Sequence, residues 1–188
     1  MKMVPLYVAL MHYPVLNRKG EIIASAVTNL DLHDLARAAR TYEIPACFVV
    51  TPLKDQQELV ASLIAHWCEG VGKELHPDRD EALKRMRVVD SLACAKEEIE
   101  ARAGRPPLVW ATTARSSEEA MTHGQARKIL AESDEPVLLL LGTGWGLAPT
   151  VLSEADGVLE AIRGLNGYNH LSVRCAAAIL MDRLLREE

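Results

Sequence analysis

The chain has 188 residues, of which 49% are hydrophobic and 25% charged, with a net charge of −5. That length supports one sizeable core, and the charge gives no whole-chain support for nucleic-acid binding, although a local basic patch remains compatible with it. No apolar run reaches the ~18–20 residues that span a bilayer, and the N-terminal segment lacks the long apolar core of a signal peptide, so a cytoplasmic location is expected. Cys47, Cys68, Cys94 and Cys175 are too far apart for a CxxC pair or a zinc site, and buried free thiols are expected.

In chain order, residues 6–11 read as a short buried strand. A long loop follows, broken by Pro14 and Gly20, with a short extended piece at 21–23. A helix is expected over 30–42, with Asn29 as N-cap and Leu32, Leu35, Ala36 and Ala39 inward. Residues 46–52 form a strand of β-branched and aromatic residues, and 55–68 a helix with Leu59, Leu63 and Ile64 inward, stopped near Gly70. A loop and a short charged helix come next, then a short strand around 87–91 and a helix capped by Ser91. "PPLVWATTA" is a strand behind two prolines, and Ser116 or Ser117 is expected to start another helix. "VLLLL" at 137–141 is a buried strand, 157–162 one more, and 171–185 a final alanine-rich helix. Strands alternate with helices, and most strands are continuous apolar runs, the pattern of strands buried on both faces. The fold expected is α/β, a mostly parallel sheet flanked by helices, in one domain.

Three stretches stand out, each following a strand: "WATTAR" at 110–115, "GTGWG" at 142–146 and "RGLNGYNHLS" at 163–172. In a parallel sheet all three loops share one edge, where α/β proteins bind ligands. The spacing GxGxG is not the dinucleotide fingerprint GxGxxG, it falls late in the chain, and there is no GK[ST] for a P-loop. His66, His76 and His123 have no metal-ligand spacing, so no metal is expected. Asn29, His33, Arg37 and Arg40 form one stripe on the first helix, able to hold an RNA phosphate. By pattern alone, a solvated helix face fits that stripe better. His12 and Tyr13 end the first strand and either line the same pocket or serve the loop. Trp145 fits equally a stacking platform for a base and a plug for its own loop.

"GTGWGLAP" and "EAIRGLNGYNHLSVRCAAAILMDRLL" resemble the C-terminal region of SPOUT-class RNA methyltransferases, and "AVTNLDLHDLARAARTYEIPACFVVTP" is similar to the first motif of that class. The opening "LYVALMHYPVLNRKGEIIASAVTNLDLHD" looks like a small bacterial SPOUT family, encoded near or fused to tRNA guanine-N1 methyltransferases. The resemblance implies a C-terminal trefoil knot, a homodimer, and S-adenosylmethionine-dependent methylation of tRNA or rRNA. It implies cofactor contacts from Thr112 and Thr113, from Leu141, Gly142, Gly144, Trp145 and Gly146, and from Ile162, Gly164, Leu165, Leu171 and Ser172. It moves Asn29 and one arginine, Arg37 ahead of Arg40, from surface to catalysis. Ser172 stands where many ribose methyltransferases of the class carry asparagine, which argues against 2′-O-methylation and leaves a base nitrogen open. A non-catalytic S-adenosylmethionine-binding or regulatory domain on the same fold is the alternative.

Overall fold

Apolar residues on both faces of a strand require a covering layer on each side, and the computed structural model shows how the chain supplies them. It describes residues 4–69, 71–115 and 118–186. In chain order the elements are β1 (Leu6–Met11), β2 (Val15–Leu16), β3 (Ile22–Ile23), α1 (Asn29–Thr41), β4 (Cys47–Val50), α2 (Lys54–Cys68), α3 (Val71–Leu75), α4 (Pro77–Leu83) and β5 (Met86–Val89). They continue with α5 (Leu92–Ala103), β6 (Leu108–Thr112), α6 (His123–Glu132), β7 (Val137–Gly142), α7 (Pro149–Ser153), β8 (Gly157–Leu159) and α8 (Val173–Leu185).

Six strands form one sheet in the order β5-β4-β1-β7-β6-β8, every pairing parallel. β1 and β7, at the centre, pair from Leu6 with Val137 to Met11 with Gly142. Alternate residues face opposite layers. Leu6, Val8 and Leu10 meet α1, α2, α4, α6 and α8, while Tyr7, Ala9 and Met11 join the core that α5 and α7 complete. β2 and β3 form a separate antiparallel hairpin.

Several local expectations shift. Thr28, not Asn29, caps α1: it is extended, and its hydroxyl accepts from the Asp31 amide. In α2 the inward residue is Val60, and Leu59 is exposed, because Val60, Leu63, Ile64 and Trp67 make the continuous helical stripe. The helix expected from Ser116 or Ser117 begins at His123 under a capping box from Thr122 and Gln125, while those two serines and Gly70 lie outside the described residues. β8 ends at Leu159, its last partner on β6 being Thr112, and the Glu160 amide beyond it donates to the Met121 carbonyl. Cys47 is buried and burial pushes its thiol up to about 12, but Cys68 and Cys94 are half-buried and Cys175 is exposed.

Candidate functional site

Parallel strands put the ends of β6, β7 and β8 on one side, and a cleft of about 1040 Å³ opens there. Thr112, Thr113, Leu141, Gly142, Gly144, Trp145, Gly146, Ile162, Leu171 and Ser172 all line it. Two of the twelve expected cofactor residues do not: Gly164 and Leu165 stand outside the lining, and the Leu165 side chain is fully exposed. The Asn169 amide donates to the Ala114 carbonyl at 2.8 Å, tying the third loop to the first.

The glycine loop owes its composition first to the chain's own packing. A Cβ on Gly142 would meet the Leu147 amide nitrogen at 2.8 Å, and one on Gly144 would meet the Leu16 carbonyl at 2.8 Å. Gly144 also sits at φ 58, the left-handed region. The hairpin seizes this loop through the backbone: Trp145 N–H donates to Leu16 O at 2.8 Å, and Leu16 N–H donates to Gly146 O at 2.9 Å. Trp145 itself is half exposed at the cleft wall.

Part of the polar lining comes from residues that sequence reasoning did not single out, or, for Thr143, singled out only as part of the glycine loop. Ser25, Thr28, Asp31, Thr143 and Glu160 all face the cleft. His12 is fully buried behind Ser25, with Nδ1 2.9 Å from Ser25 Oγ, and Tyr13 beside it is exposed. Burial lowers the His12 pKa, against the opposing pull of Asp31 and of the Ser25 backbone. Asp31 accepts from Thr28 Oγ1 at 2.6 Å and lies 3.4 Å from Arg174 Nε. Glu160 Oε1 accepts from the His123 backbone amide and lies 2.9 Å from His123 Nδ1. The backbone amide is the main reason the Glu160 carboxyl is held below its ordinary value, while burial lowers the imidazole. The available signal for Asp31 was its place in the first turn of α1, which reads equally as a favourable charge on the helix dipole.

The proposed catalytic stripe does not reach the cleft of its own chain. Asn29 and Arg37 are exposed on α1 and outside the lining. Arg40 is engaged elsewhere, its Nε 2.6 Å from Glu81 Oε1. His33 is half-buried, its ring edge-on to Trp67 at 5.5 Å, so the stripe is not one solvated face. Among the described residues no group of three or more His, Cys, Asp or Glu is placed to hold a metal ion. No described helix is long and apolar enough to cross a membrane.

A wholly parallel six-stranded sheet with a large cleft at its carboxyl edge defines an α/β ligand-binding protein. A family model described as "SAM-dependent RNA methyltransferase" matches residues 5–186, and the chain belongs to that family, whose methyl donor is S-adenosylmethionine. It is similar to the tRNA (guanine-N(1)-)-methyltransferases of Oleidesulfovibrio alaskensis and Nitratidesulfovibrio vulgaris, at 46% and 48% identity over 180 residues, 96% of this chain. The chain spans 42% of the length of those relatives. Its fold matches the SpoU methyltransferase AviRb from Streptomyces viridochromogenes, solved in complex with AdoMet, with TM-score 0.56 and 13% identity over 98% of this chain and 58% of that one.

Proposed function

We propose that the chain acts as one knotted methyltransferase domain, a cytoplasmic homodimer that methylates tRNA or rRNA. The observation that carries this reading is the cleft built by the three loops after β6, β7 and β8. Its size and mixed polar and apolar lining suit a nucleoside cofactor. Leu141 and Gly142, with Gly144 to Gly146, would hold the ribose and methionine. Ile162, Leu171 and Ser172 would hold the adenine, and Thr112 and Thr113 would form the first wall. Gly164 and Leu165 would act from the rim through the backbone. S-adenosylmethionine supplies an already activated methyl group, so the protein must align a nucleophile, take up a proton and exclude water.

The dimer is supported by apolar side chains left exposed around the cleft: Leu30, Leu165, Tyr168 and Leu171. A twofold arrangement lets Asn29 and Arg37 of one protomer face the cleft of its partner. Arg40, tied to Glu81, is the weaker catalytic choice.

The distance of this stripe from its own cleft also favours a second reading, a non-catalytic cofactor-binding domain. Calorimetric titration with S-adenosylmethionine, S-adenosylhomocysteine and NAD tests the cofactor. Saturable binding of the first two alone is expected, and no binding of either would overturn both readings. Methyl incorporation into tRNA and rRNA pools then separates the two. Loss of incorporation in Asn29→Ala and Arg37→Ala, with cofactor binding intact, identifies the enzyme.

A further inference from the structure

Three side chains at the inner wall of the cleft form a hydrogen-bond chain whose direction is fixed by counting protons. Thr143 Oγ1 lies 2.9 Å from the Met11 carbonyl oxygen, which only accepts, so the threonine proton points there. Ser25 Oγ lies 2.5 Å from Thr143 Oγ1. Threonine has no second proton, so Ser25 donates. His12 Nδ1 lies 2.9 Å from Ser25 Oγ. The serine proton being engaged, the imidazole donates in turn. The chain therefore runs from His12 Nδ1–H through Ser25 Oγ–H and Thr143 Oγ1–H to the Met11 carbonyl. His12 is fully buried, and its Nε2 has no partner among the described residues, which suits a neutral ring protonated only at Nδ1. This direction excludes the serine–histidine arrangement in which the imidazole withdraws the serine proton.

Every proton in the chain is thus directed within it. Ser25 and Thr143 both line the cleft, and each keeps an unused lone pair. The Asp31 carboxylate, lining the same cleft and largely buried beside Arg174 and Thr28, adds further acceptor capacity. Such a wall disfavours carboxylates and phosphates and accepts N–H donors, cationic ones best. Building on the cofactor assignment above, we propose that Ser25, Thr143 and Asp31 form an acceptor-only subsite for the ammonium group at the methionyl end of S-adenosylmethionine, with His12 as a positioning residue that sets its polarity without touching the ligand.

The test is calorimetric titration of the full chain with S-adenosylhomocysteine and with methylthioadenosine, which lacks the amino-acid end. Ser25→Ala and His12→Phe are each expected to weaken S-adenosylhomocysteine by about tenfold, as loss of a hydrogen bond to a charged group does, and to leave methylthioadenosine unchanged. His12→Asn, whose amide donates from near the position of Nδ1, restores most of the loss. Proton–nitrogen correlation spectra of the wild-type imidazoles near neutral pH are expected to place the His12 proton on Nδ1, a readout independent of any ligand. An Nε2-protonated ring would overturn the chain's direction. Equal weakening of both compounds, or no change in either, would overturn the subsite. If the wild-type chain binds neither compound, the cofactor assignment falls and the ammonium assignment falls with it.

Discussion

The carboxyl edge of the sheet and the outer face built by α1, α2 and α4 are both rich in polar side chains, but they use them differently. On the outer face charges are matched locally. Arg40 pairs with Glu81 and Lys84 with Asp80, while the Arg79 guanidinium lies 4.4 Å over the Trp67 ring. At the carboxyl edge the polar groups are fixed from behind and keep hydrogen-bonding capacity toward the cleft. Ser25 and Thr143 are held by the His12 chain, and Glu160 by the His123 amide. The contrast separates surface solvation from ligand recognition more sharply than residue type does. Arginine content alone points to the exposed stripe of α1, yet the unused acceptors of Ser25 and Thr143 lie elsewhere.

The strongest way to break this contrast is at the latch that holds the edge together. Gly144→Ala puts a Cβ against the Leu16 carbonyl in a left-handed backbone, and is expected to destabilise the fold by about 2 kcal/mol. Calorimetry should then show loss of cofactor binding. A Gly144→Ala protein that binds the cofactor normally would refute the latch.

Acid sharpens the contrast next. Burial lowers the pKa of His12, His33 and His123 from their ordinary 6.5. Each takes up its proton less readily in the fold than when unfolded. Stability is therefore complete above pH 6.5 and falls as pH drops below it. The Glu160 carboxyl, held below its ordinary 4.5, adds a loss only at still lower pH. Urea midpoints measured from pH 7.5 down to about 5 isolate the histidines. His12→Asn should remove part of the slope there.

Smaller effects are expected on α1. Thr28→Ala removes both the helix cap and the hydroxyl that holds Asp31, at a cost of about 1 kcal/mol. Because Asp31 faces the cleft, cofactor affinity should fall as well. Arg40→Ala breaks a partly exposed pair and should cost less than about 1 kcal/mol, with cofactor affinity unchanged. A large affinity loss in Arg40→Ala would return that arginine to the site.

Much of the architecture was legible in the chain alone. Leu6–Met11 and Val137–Gly142 are apolar without alternation, and that pattern calls for a central parallel sheet with a helical layer on each face. The glycine loop was legible as a ligand edge because three glycines at the end of a buried strand exceed what a plain turn requires. Those glycines also answer to a contact no local pattern encodes, the approach of Leu16 to Gly144.

The sequence by itself determined the alternation of strands and helices, the three loops after β6, β7 and β8, and the family through its terminal motifs. Local propensity and hydrophobic period act over a few residues, so they are written in the chain where they operate. The tertiary structure alone decided which polar groups meet. Ser25 and Thr143 are separated by 118 positions, yet their hydroxyls touch because the Ser25 amide donates to the His12 carbonyl just past β1, and β1 and β7 pair in register and end together. Asp31 turns from a helix-start acid into a cleft acceptor for the same reason. Parallel crossovers gather distant strand ends at one edge, and no short-range pattern records the meeting.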